Sequence, residues 1–241
     1  MAYPGAEERA AMFSRIAGRY DRINAVLSWG LIGRWRRALL RHLPADLRPR
    51  DILDLCCGTG AMTEILTRAY PAAAVWAVDF APGMLERARG RLAGARGSSP
   101  RFLLADQNRL PFAKDSFDLV VNAFGLRNSV FPVRSLAEML RVLRPGGCLG
   151  LLELTRPEGG FFGRLFSFYF FHLTPFLAGI LGGEKAAYRY LPASLAEFFT
   201  RAELAAVIRG LAEGTLSVIP LFGSVVTLFL FIKPSRKGVD G

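Results

Sequence analysis

The stretch that most restricts the fold begins at Asp51. DILDLC is a short apolar run, CGTG is a glycine loop, and residues 61–69 carry a helical pattern. The same change of rhythm then recurs. AAVWAVDF precedes PGMLERARGRLAG, RFLLADQ follows, SFDLVVNAFG leads into a helical segment near Pro132–Leu143, and CLGLLELT comes after an RPGG turn. Short apolar runs alternating with amphipathic stretches predict a parallel sheet covered by helices on both faces, an α/β fold. A chain of 241 residues has room for one such domain.

Ahead of this core, Met12, Ile16, Tyr20, Ile23 and Leu27 repeat at helical spacing. They predict one amphipathic helix over about residues 8–27. A second helix is expected from Leu31 to His42, carrying Arg34, Arg36, Arg37 and Arg41. Two apolar segments follow the core: FFGRLFSFYFFHLTPFLAGIL at 161–181 and LSVIPLFGSVVTLFLFI at 216–232. A spanning helix needs about 20 apolar residues. Arg164, His172 and Pro175 interrupt the first segment. Pro220 and Gly223 split the second, which reads as two strands around a turn.

Charge and cysteine usage narrow the partners. The formal net charge is +11, nearly all of the excess from arginine. A basic surface suits an anionic membrane face or a phosphate-bearing ligand. No nucleic-acid-binding pattern is present, so nucleic acid is not expected as a partner. Cys56, Cys57 and Cys148 have neither zinc spacing nor a disulfide framework, which suits a reducing compartment. The segment MAYPGAEERAAMF lacks the apolar core of a signal peptide. A cytoplasmic location is expected, extending to the inner face of a membrane. His42 and His172 lie far apart, and no metal is expected.

The glycine loop carries the first chemical signal. Gly58 and Gly60 let the backbone turn tightly and approach a ligand. The loop is neither G-x-G-x-x-G nor a P-loop. Asp54 sits where it would repel a pyrophosphate, and it suits a cation instead. Asp79 ends the next strand, placed to accept bonds from ribose hydroxyls. Asp106 ends the third, placed toward an adenine. Each acid alone has a structural explanation as a cap. Together they point to a nucleoside ligand bearing positive charge, and S-adenosylmethionine fits. The stretch FGLRNSV then sets Arg127 and Asn128 directly after a buried strand. They belong either to a solvated turn or to an active-site edge.

Four blocks, in order, resemble the menaquinone and ubiquinone biosynthesis C-methyltransferases. These are YDRINAVLSWG with Arg34-Trp35, LRNS after AFG, RVLRPGGCLGLLELT, and YRYLPASLAEF. The family pattern has a histidine where this chain has Ile32. The resemblance implies a class I S-adenosylmethionine-dependent methyltransferase fold, Rossmann-like, with a mixed seven-stranded sheet. It implies a helical cap (1–45), a cofactor core (50–157), a substrate lid (158–199) and a C-terminal helix and strand pair (200–233) within one domain. The cofactor set it implies is Asp54, Gly58, Thr59, Gly60, Asp79, Phe80, Asp106, Gln107, Asn122 and Ala123.

The activity it implies is methylation of a ring carbon of a prenylated quinol, demethylmenaquinol to menaquinol being the first choice. Arg127 then holds a phenolate oxygen or polarises a water. Asn128 orients that water or the second quinol oxygen. Tyr20 either bonds the ring or packs in the helical stripe, and Asp21 fixes a nearby donor. The phenylalanine-rich segment 161–181 is expected to form a lid that lines a tail channel or touches a membrane surface, the alternative being a homodimer interface. Two other functions compete: methylation of a different apolar acceptor, and a cofactor-binding scaffold without catalysis.

Overall fold

The computed structural model describes residues 5–94, 99–159, 161–170, 192–223 and 225–235. Three helices lead: α1 (Ala6–Ile16), α2 (Tyr20–Leu27) and α3 (Ile32–His42). The alternating core follows as β1 (Asp51–Leu55), α4 (Ala61–Ala69), β2 (Ala74–Asp79), α5 (Pro82–Leu92), β3 (Arg101–Leu104), β4 (Phe117–Ala123), a 3-10 turn (Leu126–Asn128), α6 (Pro132–Val142) and β5 (Leu143–Leu154). Then come α7 (Phe161–Phe168), α8 (Arg201–Leu211), β6 (Thr215–Phe222) and β7 (Val226–Ile232).

The strands make one seven-stranded sheet in the order β3-β2-β1-β4-β5-β7-β6. β1, β2, β3, β4 and β5 pair in parallel; β7 enters antiparallel to β5 and to β6. Ile52, Leu53 and Leu55 of β1 are all fully buried, as expected for a strand covered on both faces. α6 and α8 cover one face through Leu136, Met139, Leu204 and Ile208. α3 and α4 cover the other through Leu39, Leu43, Met62 and Leu66. The chain leaves β1 toward β2 and returns to β1's other side at β4. That reversal opens a crevice beyond the carboxyl ends of β1 and β4, where ligands of such sheets bind.

Three local readings are corrected. The stripe over 8–27 is two helices rather than one. Gly18 breaks it, so Met12 and Phe13 pack on Ala81 and Met84 while α2 turns toward the crevice. The RPGG sequence is not a turn between elements but an irregularity inside β5. Phe117 pairs with Leu143 and Leu119 with Cys148, so the extra residues of β5 bulge between them. β3 ends at Leu104, and Asp106 lies two residues beyond it rather than at its end. The segment 216–232 does form two strands. Of the segment 161–181, α7 and the turn to Phe170 are described, and 171–181 lies outside the described residues. No helix among the described residues is long and apolar enough to cross a membrane.

Candidate active site

The glycine loop is held against the end of β2 by Asp79. The Gly58 N–H donates to Asp79 Oδ2 (2.8 Å) and the Ala81 N–H donates to Oδ1 (2.9 Å). Gly60 opens α4 at φ 80°, and a Cβ there would lie 3.0 Å from Ala88 Cβ of α5. Only glycine meets both demands. A Cβ at Gly125 would lie 2.4 Å from Cys56 Cβ. The glycine that ends the apolar run of β4 is therefore there to let the β1 and β4 loops meet.

Two carboxylates face this crevice from inside the protein. Asp54 is 1% exposed and Asp79 5%. Thr63 Oγ1 donates to Asp54 Oδ2 at 2.5 Å. Burial nevertheless pushes the Asp54 carboxyl up to about 7 and that of Asp79 up to about 6. Desolvation disfavours the charged form and outweighs the donors that favour it. A cation in the crevice reverses that balance.

Three cavities adjoin. The first, over the glycine loop, is lined by Asp54, Asp79, Phe80 and Ala123, and is roofed by Phe13, Tyr20 and Arg36. The second, about 230 Å³, runs from Phe80 past Asp106, Gln107 and Asn108 to Asn128, with Arg9 of α1 above it. The Arg9 guanidinium donates to the Asn128 carbonyl at 2.7 Å. In its wall Gln107 Nε2 donates to the Gly125 carbonyl (3.3 Å), while Gln107 Oε1 is buried without a partner among the described residues. The third cavity is apolar. Leu27, Ile32, Trp35, Phe124, Phe166 and Phe170 supply its walls, with Tyr20, Arg36 and Arg127 among the polar groups. The first and second cavities fit S-adenosylmethionine. Buried acids face where its positive charge and ribose would lie, and Gln107, which keeps an unsatisfied acceptor, stands in the wall of the second cavity.

The residues expected from sequence fall in distinct places. Asp54, Gly58, Thr59, Asp79, Phe80, Ala123 and Asn128 line the first cavity, and Asp106 and Gln107 the second. Asp106 Oδ1 accepts from the Asn108 backbone and side chain. Asn122 is buried behind the wall, its Oδ1 accepting from Gly125 N–H. Tyr20 lines both the first and the third cavity; burial raises its pKa, opposed by nearby Arg127. Asp21 points away from the third cavity, accepting from Thr59 Oγ1 (2.8 Å) and pairing with Arg91. Arg127 lines the third cavity with its charge already balanced: Nη1 donates to Glu153 Oε1 (2.8 Å) and to the Phe124 carbonyl (3.0 Å).

Sequence reasoning missed Arg9, Arg36, Thr63 and Glu153. Thr63 and Arg36 each had a findable signal. Thr63 stands one turn into the helix after the loop, and Arg36 follows Ile32 by one turn on α3. Glu153 and Arg9 act through partners that only the fold brings near.

A model of the ubiE/COQ5 methyltransferase family matches residues 4–227. A demethylmenaquinone methyltransferase of Thermus thermophilus is 47% identical over 187 residues, covering 78% of this chain and 84% of that protein. A ubiquinone/menaquinone biosynthesis C-methyltransferase UbiE of Geobacter sulfurreducens is 39% identical over 199 residues, covering 82% and 77%. Among solved structures, an S-adenosylmethionine-dependent methyltransferase of Aquifex aeolicus superposes with a TM-score of 0.61 at 15% identity, covering 88% and 97%.

Proposed function

The chain belongs to the ubiE/COQ5 methyltransferase family, and from that premise we propose that it methylates a ring carbon of a prenylated quinol, demethylmenaquinol becoming menaquinol. The fold is that of class I methyltransferases and the cofactor is S-adenosylmethionine. The observation that carries the substrate reading is a shared wall: the cofactor crevice and the apolar pocket meet at Tyr20, Arg36 and Phe124. A flat, greasy ring in the pocket therefore presents one edge to the crevice. The names of the relatives favour a naphthoquinol.

When bound, S-adenosylmethionine supplies a sulfonium methyl, the C–S electron pair staying on sulfur as the ring C–C bond forms, with net loss of one proton from the quinol. The protein's own residues hold, orient and dehydrate. Asp54 and Asp79 would give the cationic cofactor its counter-charge, Asp79 would also meet its ribose, and Asp106 and Gln107 would meet its base. Trp35, Phe166 and Phe170 exclude water from the ring, which strengthens every charge interaction at its edge. Positioning two reactants across one wall supplies a large share of the rate. Arg127, balanced by Glu153, fits the role of polarising a water in the apolar pocket, while Asn128 lines the crevice from the same turn.

A peripheral membrane contact accompanies this reading. Trp29 and Phe168 are 66% and 62% exposed beside the apolar pocket, and Trp29 lies against Tyr169. Arg34 and Arg37 on α3 and Arg164 on α7, all exposed, lie near them in the chain. Aromatic side chains ringed by cations suit an anionic leaflet, where the prenyl tail resides. Incubation of the reduced quinols with the protein and S-adenosylmethionine tests the function. The expected result is a ring-methylated naphthoquinol, with slower transfer to a prenylated benzoquinol. Tight cofactor binding with transfer to neither would refute it.

A further inference from the structure

Arg36 is the partly buried charge that the roles above leave unused. It lies on α3, in the wall common to the crevice and the apolar pocket. Among the described residues its guanidinium has neither a hydrogen bond nor an ion pair, and its Nε is buried without a partner. The charged and titratable groups around it are Tyr20 and Asp21 of α2, Asp54 of β1 and Arg91 of α5. Burial lowers the pKa of Arg36 from its usual value, and the first three neighbours oppose that. Arginine remains a cation in such settings. A partly buried cation whose neighbouring carboxylates make no direct bond to it still carries a desolvation cost in the free protein. A ligand that brings an oxyanion removes that cost.

Ring chemistry locates the oxyanion. The carbon that takes the methyl must face the crevice, and the hydroxyl that activates it sits on the adjacent ring carbon. That oxygen therefore lies at the wall between the two cavities. Among the described residues only Tyr20, Arg36 and Phe124 line both, and only Arg36 is cationic. Arg127 lines the pocket without lining the crevice, and Glu153 already balances it.

We propose that Arg36 is a catalytic residue that receives this quinol oxygen as a phenolate. The O–H bond breaks with its electron pair left on oxygen, the proton passes to water, and the oxyanion rests on the guanidinium. The inference rests on the quinol reading given above. The cofactor's own carboxylate is the competing source of an oxyanion, and the test separates the two.

The test compares wild type with Arg36→Met and Arg36→Lys in three measurements. Calorimetry reads S-adenosylmethionine binding. Absorbance titration reads the ionisation of bound 1-naphthol, a phenol that is not redox-active. Steady-state transfer to demethylmenaquinol reads kcat against pH. Wild type is expected to lower the apparent pKa of bound 1-naphthol by about 1–2 pH units. Arg36→Met should abolish that shift and Arg36→Lys keep part of it, with cofactor affinity changed by less than roughly threefold. Arg36→Met should lose roughly 10²–10³ in kcat at neutral pH and recover as pH rises. A cofactor affinity weakened tenfold or more, with the naphthol ionisation unmoved, would assign Arg36 to the cofactor carboxylate and overturn the proposal. So would three unchanged measurements. If wild type fails to methylate the quinol, the quinol reading falls by itself, and the naphthol titration still decides whether Arg36 holds a phenolate.

Discussion

Arg127 and Arg36 face the same apolar pocket and differ most sharply in the presence of a bonded counter-charge. Arg127 follows β4 and is clasped by Glu153 of β5, with side chains 5% and 0% exposed. Arg36 projects from α3 and has no such clasp among the described residues. A buried ion pair has spent its attraction inside the protein, and removing one partner is strongly destabilising. A partly buried charge without a bonded partner has its attraction still to offer. The difference teaches that residue type and position mark a site, while the partner decides which member of it can take an anion.

The contrast has measurable consequences of decreasing size. Arg127→Met strands the Glu153 carboxylate in the core, and should lower unfolding stability by about 3–5 kcal/mol in a urea titration. Loss below about 1 kcal/mol would show that the pair is not the clasp described. Next in size is Asp79→Asn, which removes a charged acceptor from the loop and the cofactor. S-adenosylmethionine affinity should fall by about 1.5–3 kcal/mol by calorimetry.

A pH effect comes third. Unfolded, these two carboxyls titrate near 3.8; folded, Asp79 titrates at about 6 and Asp54 at about 7. Between those values the folded chain holds more protons, so their contribution to stability, full at low pH, is lost as pH rises from about 4 to about 7. Cofactor binding has the opposite slope. The cation prefers ionised acids, so binding near pH 6 should release protons, and affinity should fall roughly tenfold from pH 7 to pH 5. Binding that strengthens in acid would contradict the placement of the cation beside these acids. The smallest effect is expected from Arg36→Met in the cofactor-free protein. Its stability should equal that of wild type or exceed it by up to about 1 kcal/mol, since a partly buried charge without a bonded partner is removed. A large loss would reveal a partner for Arg36.

The sheet and the cofactor edge were legible because they rest on local patterns. Apolar runs mark strands, glycine marks the loop, and Asp79 stands one strand away from it. The break at Gly18 escaped because both helices keep apolar residues at similar spacing while facing different surfaces. Most of the substrate side was not legible. The Arg127–Glu153 pair joins the turn after β4 to β5 across 26 residues of sequence. Arg36 lay in a cluster of arginines on one helix, and only its spacing of one turn from Ile32 set it apart from the members in solvent. Long-range pairing and burial decide both, and neither leaves a periodic trace.

The central claim is that a quinol ring carbon meets the methyl group at the wall made by Tyr20, Arg36 and Phe124. The most direct measurement is a single turnover with methyl-labelled S-adenosylmethionine and demethylmenaquinol, with the product examined by carbon NMR. The expected label lies on the ring carbon next to a hydroxyl-bearing carbon. A label on oxygen, as a methyl ether, or no label in a protein that binds both ligands, would contradict the account.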